Sequence, residues 1–462
     1  MRLRQTRRGP FAVLRRQPVR VRSGTSRNYP GFNAFSLCFL FTRDRRIQLP
    51  CPYFVYGGHM SLLDQLSAGD AWQAFYEYKT SLACPKAFAK ELREYIDSGA
   101  YLPVCGRIAA GEPFPLPRRS VISKLGTDKK RVVYTYPYAE NMVLKHLTYL
   151  MLRRYDHLFA DGLYSFRPGR NAKSAVRMLL HTRGISQMYA YKVDIHDYFN
   201  SVPVEAFLPV LQEAVGEDAE LCDFLSGLLA EPRVYDRGRA VTDRKGIMAG
   251  TPVASFYANL YLRELDEHFA SVGVPYARYS DDIIVFDVSR GKAEEHAQYI
   301  REFLESRSLT VNPKKENFYE PGEAWTFLGF ECRGDAVDIA PATVTKMKQK
   351  MRRKSRALMR WRKRNGVSGE KAAAAFIRIF NRKLLESPQD NDLTWSCWFF
   401  SMINTAESLR EIDAYAQECI RYLVSGTRTK ARFNVRYDDL KRLGYRSLVH
   451  EYYGFEKPQR FS

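Results

Sequence analysis

The spacing of apolar positions changes character several times along this chain. From Ser61 to about 180 they recur at three- and four-residue intervals, as in "AWQAFYEYKTSLACPKAFAKELREYI", which predicts mostly helix. "RRSVISKLGTDKKRVVYTYP" interrupts that period and predicts a short basic strand pair turning at Gly126-Thr127-Asp128. "YKVDIHDYFNSVP" (191–203) predicts a strand running into a helix start, followed by helix to about 232 and a polar loop. "GIMAGTPVASFYANLYLRELDEHF" predicts a Gly/Pro loop feeding a long helix. After "YARYSDDIIVF" (276–286), another helix to about 307 is expected, then strand-like pieces in "LTVNPKKENF" and "WTFLGFEC". Past 340, "TKMKQKMRRKSRALMRWRKR", "KAAAAFIRIFNRKLL" and "SLREIDAYAQECIRYLV" all have helical period, and an aromatic-rich piece closes the chain at 442–455.

The 276–286 stretch is strand-like, yet it sets two aspartates side by side in an apolar run. Alternate residues of a straight strand face opposite ways, so Asp281 and Asp282 could not share a site there. A tight turn through Ser280-Asp281 would make the flanking segments arms of a hairpin with both carboxylates at its tip. Adjacent carboxylates repel unless a cation neutralises them. Taken alone, an exposed acidic turn is the ordinary reading.

Charge narrows the choice. Lys and Arg number 72 against 51 Asp and Glu, a net charge of +21, which points to a polyanionic partner: nucleic acid first, an anionic membrane surface second. No run approaches the roughly 18 apolar residues of a membrane span; "FNAFSLCFLF" (32–41) is too short. The 8 cysteines are scattered with no CxxC pair, against a zinc ribbon or disulfide scaffold and for a reducing compartment, the cytoplasm. Residues 1–59 are arginine-rich, with Asp44 their one acid and no lysine. Three readings compete for them: a disordered basic arm that grips nucleic acid, a transit peptide, or sequence ahead of a true start at Met60.

"YKVDIHDYFN" supplies a partner for the acidic hairpin, because Asp194 ends an apolar strand. Two hard cations about 3.5–4 Å apart, held by carboxylates, would clamp an in-line phosphoryl displacement. That is nucleotidyl transfer, and it suits a basic protein.

At these residues the chain resembles reverse transcriptases. "YSDD" (279–282) is similar to their Y-x-D-D box and "DIHDYFNSV" from Asp194 to their first palm motif. "NPKKE" (312–316) and "FLGF" (327–330) resemble the two motifs that follow, in the expected order. "LYSFRPGRNAKSAV" (163–176) is close to the S-F-R-P-G-R box of the group II intron type, and "SKLGTDKKRVVYTYPYAENMVL" resembles the fingers segment before it. The likeness covers about residues 60–345. It implies an α+β right-hand polymerase: fingers with N-terminal helices (60–190), a palm with an antiparallel sheet (191–340), a basic helical thumb (341–385) and a helical C-terminal extension (386–462).

The resemblance also implies roles. Asp194 and Asp281 would be the main ligands of two magnesium ions, or of manganese in their place, with Asp282 a third carboxylate and the Ile195 backbone a further ligand. Phe199 would be the steric gate that rejects the 2′-OH; for a lone Phe, a core aromatic is the ordinary reading. Lys124 and Arg131 would reach the triphosphate. Arg167 and Arg170 would position template phosphates or brace the fold. Lys315 would donate a proton or contact phosphate near the leaving group, with a solvated charge as the alternative. Tyr279 would pack against the primer end, and Gly329 would let the backbone approach it. Lys346, Lys348, Lys350, Arg352, Arg353 and Lys354 would track the duplex from the thumb.

One motif departs from the pattern. Intron-type enzymes carry Q-G-x-x-x-S-P where this chain has "AGTPVAS", so Ala249 stands in place of the Gln before Gly250. Both belong to the loop that abuts the incoming nucleotide, and losing the amide puts ordinary template reading in doubt. "AWQAFYEYK" and "YRSLVHEYYGF" resemble bacterial unknown-group, defence-associated reverse transcriptases. The implied biology is antiphage defence through cDNA made on a dedicated noncoding RNA, or DNA made with little or no template. The partners implied are that RNA, the DNA product and deoxynucleoside triphosphates, with an accessory protein, a second reverse transcriptase or another copy of the chain beside them. A group II intron-type maturase, an RNA-binding protein, is the alternative from another class.

Overall fold

The computed structural model describes residues 60–82, 84–123, 130–243, 246–386 and 395–455. Residues 1–59, Lys124 and the Gly126-Thr127-Asp128 turn lie outside them. Helices α1 (Gly69–Ser81), α2 (Lys86–Asp97) and α3 (Leu102–Ala109) come first. The basic strand pair follows as β1 (Arg118–Ser123) and β2 (Lys130–Thr135), antiparallel with Val121 opposite Val132. Then come α4 (Tyr138–Arg154), α5 (Ala172–His181), β3 (Tyr189–Asp194), α6 (Tyr198–Ser201), α7 (Val204–Val215) and α8 (Ala219–Ala230).

Where a polar loop is expected after 232, β4 (Arg233–Asp236) and β5 (Arg239–Thr242) form a hairpin, and β4 pairs in parallel with β1. Arg237 and Gly238 both have positive φ, +50° and +83°, as a type I′ turn requires. Only Val234 of the pair is buried, so the hairpin carries almost no apolar alternation to read. The long helix expected past the Gly/Pro loop is two, α9 (Ala254–Tyr261) and α10 (Arg263–Val272), separated at Leu262. The chain continues through β6 (Tyr276–Tyr279), β7 (Asp282–Asp287), α11 (Arg290–Ser306), β8 (Asn317–Tyr319), β9 (Trp325–Phe327), β10 (Phe330–Arg333) and β11 (Ala336–Ile339). It ends with α12 (Pro341–Asn365), α13 (Gly369–Leu384), α14 (Trp395–Phe400), α15 (Glu407–Ser425), α16 (Tyr437–Arg442) and α17 (Leu448–Tyr453). Side-chain caps set several starts: Asn171 opens α5 with a capping box, and Ser289 and Ser368 cap α11 and α13.

The architecture is mixed α+β. A central antiparallel sheet of order β6-β7-β3-β8 lies between two hydrophobic cores. Tyr191, Val193, Ile283 and Val285 point into one core, with α1, α4 and α7–α10. Ala190, Ala277, Ile284, Phe286 and Tyr319 point into the other, with β9–β11 and the helices from α12 onward. Burial on both faces is why these strands read as continuous apolar runs rather than as alternations. Helices on either side of residue 385 share the second core, Phe376 and Phe380 of α13 packing in it with Leu409 and Ile420 of α15 and Leu448 of α17. Among the described residues no helix is long and apolar enough to cross a membrane.

Candidate active site

Tyr279 pairs with Asp282, so Ser280 and Asp281 form a two-residue turn and the β6–β7 hairpin carries both aspartates at its tip. Ser280 has φ +60° and Asp281 does not share it, the signature of a type II′ turn. Asp194, the last residue of β3, lies directly opposite Asp282. Alternation puts Lys192, Asp194 and Asp282 on one face of the sheet, the face that α12 covers. Asp281 is tied to the same edge through its carbonyl, which accepts from the Ile195 N–H at 2.9 Å.

A buried polar network supports the turn from beneath. The Ser280 N–H donates to Ser165 Oγ at 3.0 Å, and that hydroxyl donates to Asn259 Oδ1 at 3.0 Å. Asn259 returns a bond from Nδ2 to the Ser165 carbonyl at 2.9 Å. Arg278, fully buried, binds Asp266 through Nε at 2.8 Å and Nη2 at 2.5 Å, and reaches the carbonyls of Ser280 and Asn259. The Tyr276 hydroxyl donates to the same Asp266 at 2.8 Å. A left-handed φ at a non-glycine residue costs about 1–3 kcal/mol and persists only where its surroundings over-determine it. These bonds do that.

The electrostatics of the tip are those of carboxylates short of counter-charge. Asp281 is pushed up to about 7, first by burial and then by the negative charges of Asp282 and Asp194. Burial also raises Asp282; Lys192, Lys315 and Lys346 oppose the rise, and Asp194 adds to it. Asp194, buried at 3% exposure, is ion-paired with Lys315, accepts from Asn312 Nδ2 at 3.3 Å, and takes the Asn312 N–H on its carbonyl at 2.8 Å. Hard carboxylate oxygens facing one another across a strand pair are the donors that Mg²⁺ or Mn²⁺ takes. Among the described residues no three His, Cys, Asp or Glu side chains form a ready metal cluster. The donor set fits such ions in chemistry, and one of its members, Asp194, is ion-paired with Lys315.

The other expected site residues lie on several elements. Phe199 is half-buried in α6, packed edge-on to Tyr198, and its carbonyl accepts from the Ile247 N–H at 2.8 Å. A Cβ on Gly246 would lie 2.1 Å from that carbonyl, so only glycine fits where the loop passes α6. Ala249 is buried, and its carbonyl accepts from Tyr134 N on β2 at 2.9 Å; Gly250 follows with φ +102°. Arg131 is half-buried on β2, opposite Ile122. Tyr279 is buried at the end of β6. Gly329 turns from β9 to β10 at φ +91°, and its carbonyl accepts from Ala340 N just before α12.

Arg167 makes the contacts that bracing calls for. It is buried, with its guanidinium engaged by the Asp156 carboxylate at 2.7 and 3.1 Å and by the carbonyls of Ala160 and Leu163. Arg170 is bound to Asp161. Along α12, Lys346, Lys350, Arg352 and Arg353 are exposed, whereas Lys348 is paired with Glu411 of α15. The pKa of Lys350 is lowered by desolvation and then by Lys383, Arg353 and Lys346, so these cations stand beside one another. Sequence reasoning assigned no role to Ser165, Asp266, Asn312 or Arg278. An arginine inside the apolar run "YARYS" was the available signal for the last of them.

Residues 122–332, from β1 to β10, match the family model described as "Reverse transcriptase (RNA-dependent DNA polymerase)". Over that stretch the chain is similar to reverse transcriptases, and the carboxylate edge of the central sheet falls within it. A curated relative is an uncharacterized 91 kDa protein in the cob intron of Schizosaccharomyces pombe, 27% identical over 150 residues. That stretch is 32% of this chain and 18% of the relative, so the chain spans less than a fifth of that protein's length.

Proposed function

We propose that the protein is an RNA-directed DNA polymerase that adds deoxynucleotides by two-metal nucleotidyl transfer at Asp194, Asp281 and Asp282. The observation that carries this is the direct opposition of Asp194 and Asp282, with Asp281 on the adjoining turn, inside a region similar to reverse transcriptases. The three carboxylates and the Ile195 backbone would hold magnesium or manganese, which when bound supplies Lewis-acid activation of the attacking hydroxyl and neutralises the leaving pyrophosphate. Lys315, released from Asp194, binds the leaving group or protonates it from Nζ. Phe199 gates the sugar, and Lys124 and Arg131 hold the triphosphate. The Ala249–Gly250 loop and Tyr279 line the nucleotide and primer sides, with Gly329 beside them. The cations of α12 follow the duplex as a thumb. Arg170 positions template. The likeness of "AWQAFYEYK" and "YRSLVHEYYGF" to defence-associated enzymes supports cDNA synthesis on a noncoding RNA in antiphage defence. Ala249 supports synthesis with relaxed dependence on a template.

The test is incorporation of labelled deoxynucleotides by purified protein with magnesium, beside Asp281→Asn, with products sequenced before and after nuclease treatment. Mutant-sensitive products matching a bound RNA are expected. Products that survive nuclease with simple repeats would establish template-independent synthesis instead. The similarity to a protein in an intron favours a second reading, an RNA-binding maturase; intron splicing without incorporation would select it.

A further inference from the structure

Residues 426–442, which connect α15 to α16 and form α16, lie outside the matched region and are exposed over most of their length. We infer that this segment is a second binding surface, one that takes single-stranded nucleic acid. Phe433 is 50% exposed, and two guanidiniums sit over its ring, Arg432 at 4.3 Å and Arg421 at 6.0 Å from the centroid. Tyr437 is 38% exposed and carries Lys441 at 4.9 Å. Arg428 lies over Tyr422 at 4.7 Å. An isolated exposed ring is ordinary, and so is a solvated charged face. Here exposed rings and cations alternate within a few residues, so a base stacked on a ring has a positive group beside it for its phosphate.

The local acids leave much of this charge unmatched. Glu418 takes Arg432 at 2.7 Å, and Asp439 takes Arg442 at 3.1 Å and the Arg436 N–H at 2.9 Å. Among the described residues no carboxylate is ion-paired with Arg428, Lys430, Arg436 or Lys441. Duplex DNA or RNA hides its base faces in the stack and would leave the rings unused, whereas a single strand uses rings and cations together.

The position suits a strand that also occupies the carboxylate site. Helices α12 and α15 run side by side: Ser408 Oγ bonds the Ile339 carbonyl at one end, and Arg362 bonds the Leu423 carbonyl at the other. Near the first end Val344 and Met351 pack in the core under the sheet face that carries Asp194 and Asp282, and the aromatic surface begins at the second end. From Lys346 to Arg362 the helix rises about 24 Å at 1.5 Å per residue. That is roughly seven steps of a duplex at 3.4 Å each, and fewer nucleotides of an unstacked, more extended single strand.

The experiment uses the full chain carrying Asp281→Asn, so binding is read apart from synthesis, and compares it with the same protein bearing Phe433→Ala and Tyr437→Ala. Anisotropy titrations with 20-mer oligo-U, 20-mer oligo-dT and a duplex of equal length supply the arms. The ring variant is expected to lose roughly tenfold or more on single strands, with duplex affinity and unfolding midpoint unchanged. A loss on oligo-U alone assigns the surface to RNA, and an equal loss on both assigns it to either strand. Crosslinking with 4-thiouridine oligomer, mapped by mass spectrometry, should label residues 421–442. Unchanged single-strand affinity without crosslinks there overturns the proposal, as does an equal loss on duplex.

Discussion

Beneath the Ser280 turn the polar groups of Ser165, Asn259, Arg278 and Asp266 bind one another in the interior, whereas Lys346, Lys350 and Arg353 recur at helical spacing along α12, and Lys346, Arg353 and Lys383 all lower the pKa of Lys350. The first arrangement positions: Ser165, Asn259 and Arg278 each donate to an internal acceptor, although the buried Ser280 hydroxyl has none among the described residues. The second repels itself, and a polyanion relieves it. A chemical centre calls for fixed geometry; a surface that follows any sequence calls for charge without fixed partners. Both flank the same hairpin, since Lys346 is among the charges that lower the pKa of Asp282.

The largest effect should come from breaking the buried network. Arg278→Met strands Asp266 as a buried unpaired charge and should cost about 3–5 kcal/mol in urea unfolding. Adding Asp266→Leu should return most of that stability without returning incorporation, because the Ser280 carbonyl keeps no arginine. If activity returned with stability, the network would be packing alone.

Ser165→Ala leaves the Ser280 N–H without its acceptor and should cost about 1–3 kcal/mol. A lowered kcat at unchanged KM, partly restored by Ser280→Gly, would separate loss of turn geometry from general destabilisation. Glycine removes the left-handed strain at that position.

On α12, Lys350→Gln with Arg353→Gln should leave stability within about 0.5 kcal/mol. The slope of log K against log salt for duplex binding should become shallower by roughly two. An unchanged slope would mean these cations face solvent only.

A further effect is in pH. In the metal-free protein Asp281 keeps its proton to about 7, above its ordinary value, so between about 4 and 7 the folded state holds more protons than the unfolded. Stability should therefore fall as pH rises through that window. Asp281→Asn should flatten the fall and unfold at a higher temperature than the parent above pH 7 in EDTA. Equal profiles for the two proteins would show that Asp281 ionises freely.

The hairpin at the tip was legible in "YARYSDDIIVF", because two apolar runs flank a two-residue break. The pairing of Asp194 with that tip followed from its place at the end of an apolar strand. The β4–β5 hairpin was not legible, since a strand that buries one side chain leaves no period to find. For Arg167 two roles were open, and only the packing shows its guanidinium held by Asp156. Lys348 belongs by spacing to the cationic helix, yet Glu411 of α15 takes it out of the exposed set.

By itself the sequence determined most of the elements, the excess of positive charge and the three aspartates that the resemblance singles out. Those depend on local period and residue type, which are written residue by residue. Tertiary structure alone decided which charges are buried against which, that Asp266 answers Arg278 and Lys315 covers Asp194. The partners come from different elements, and only the packing of one element on another sets their distance and removes the water between them.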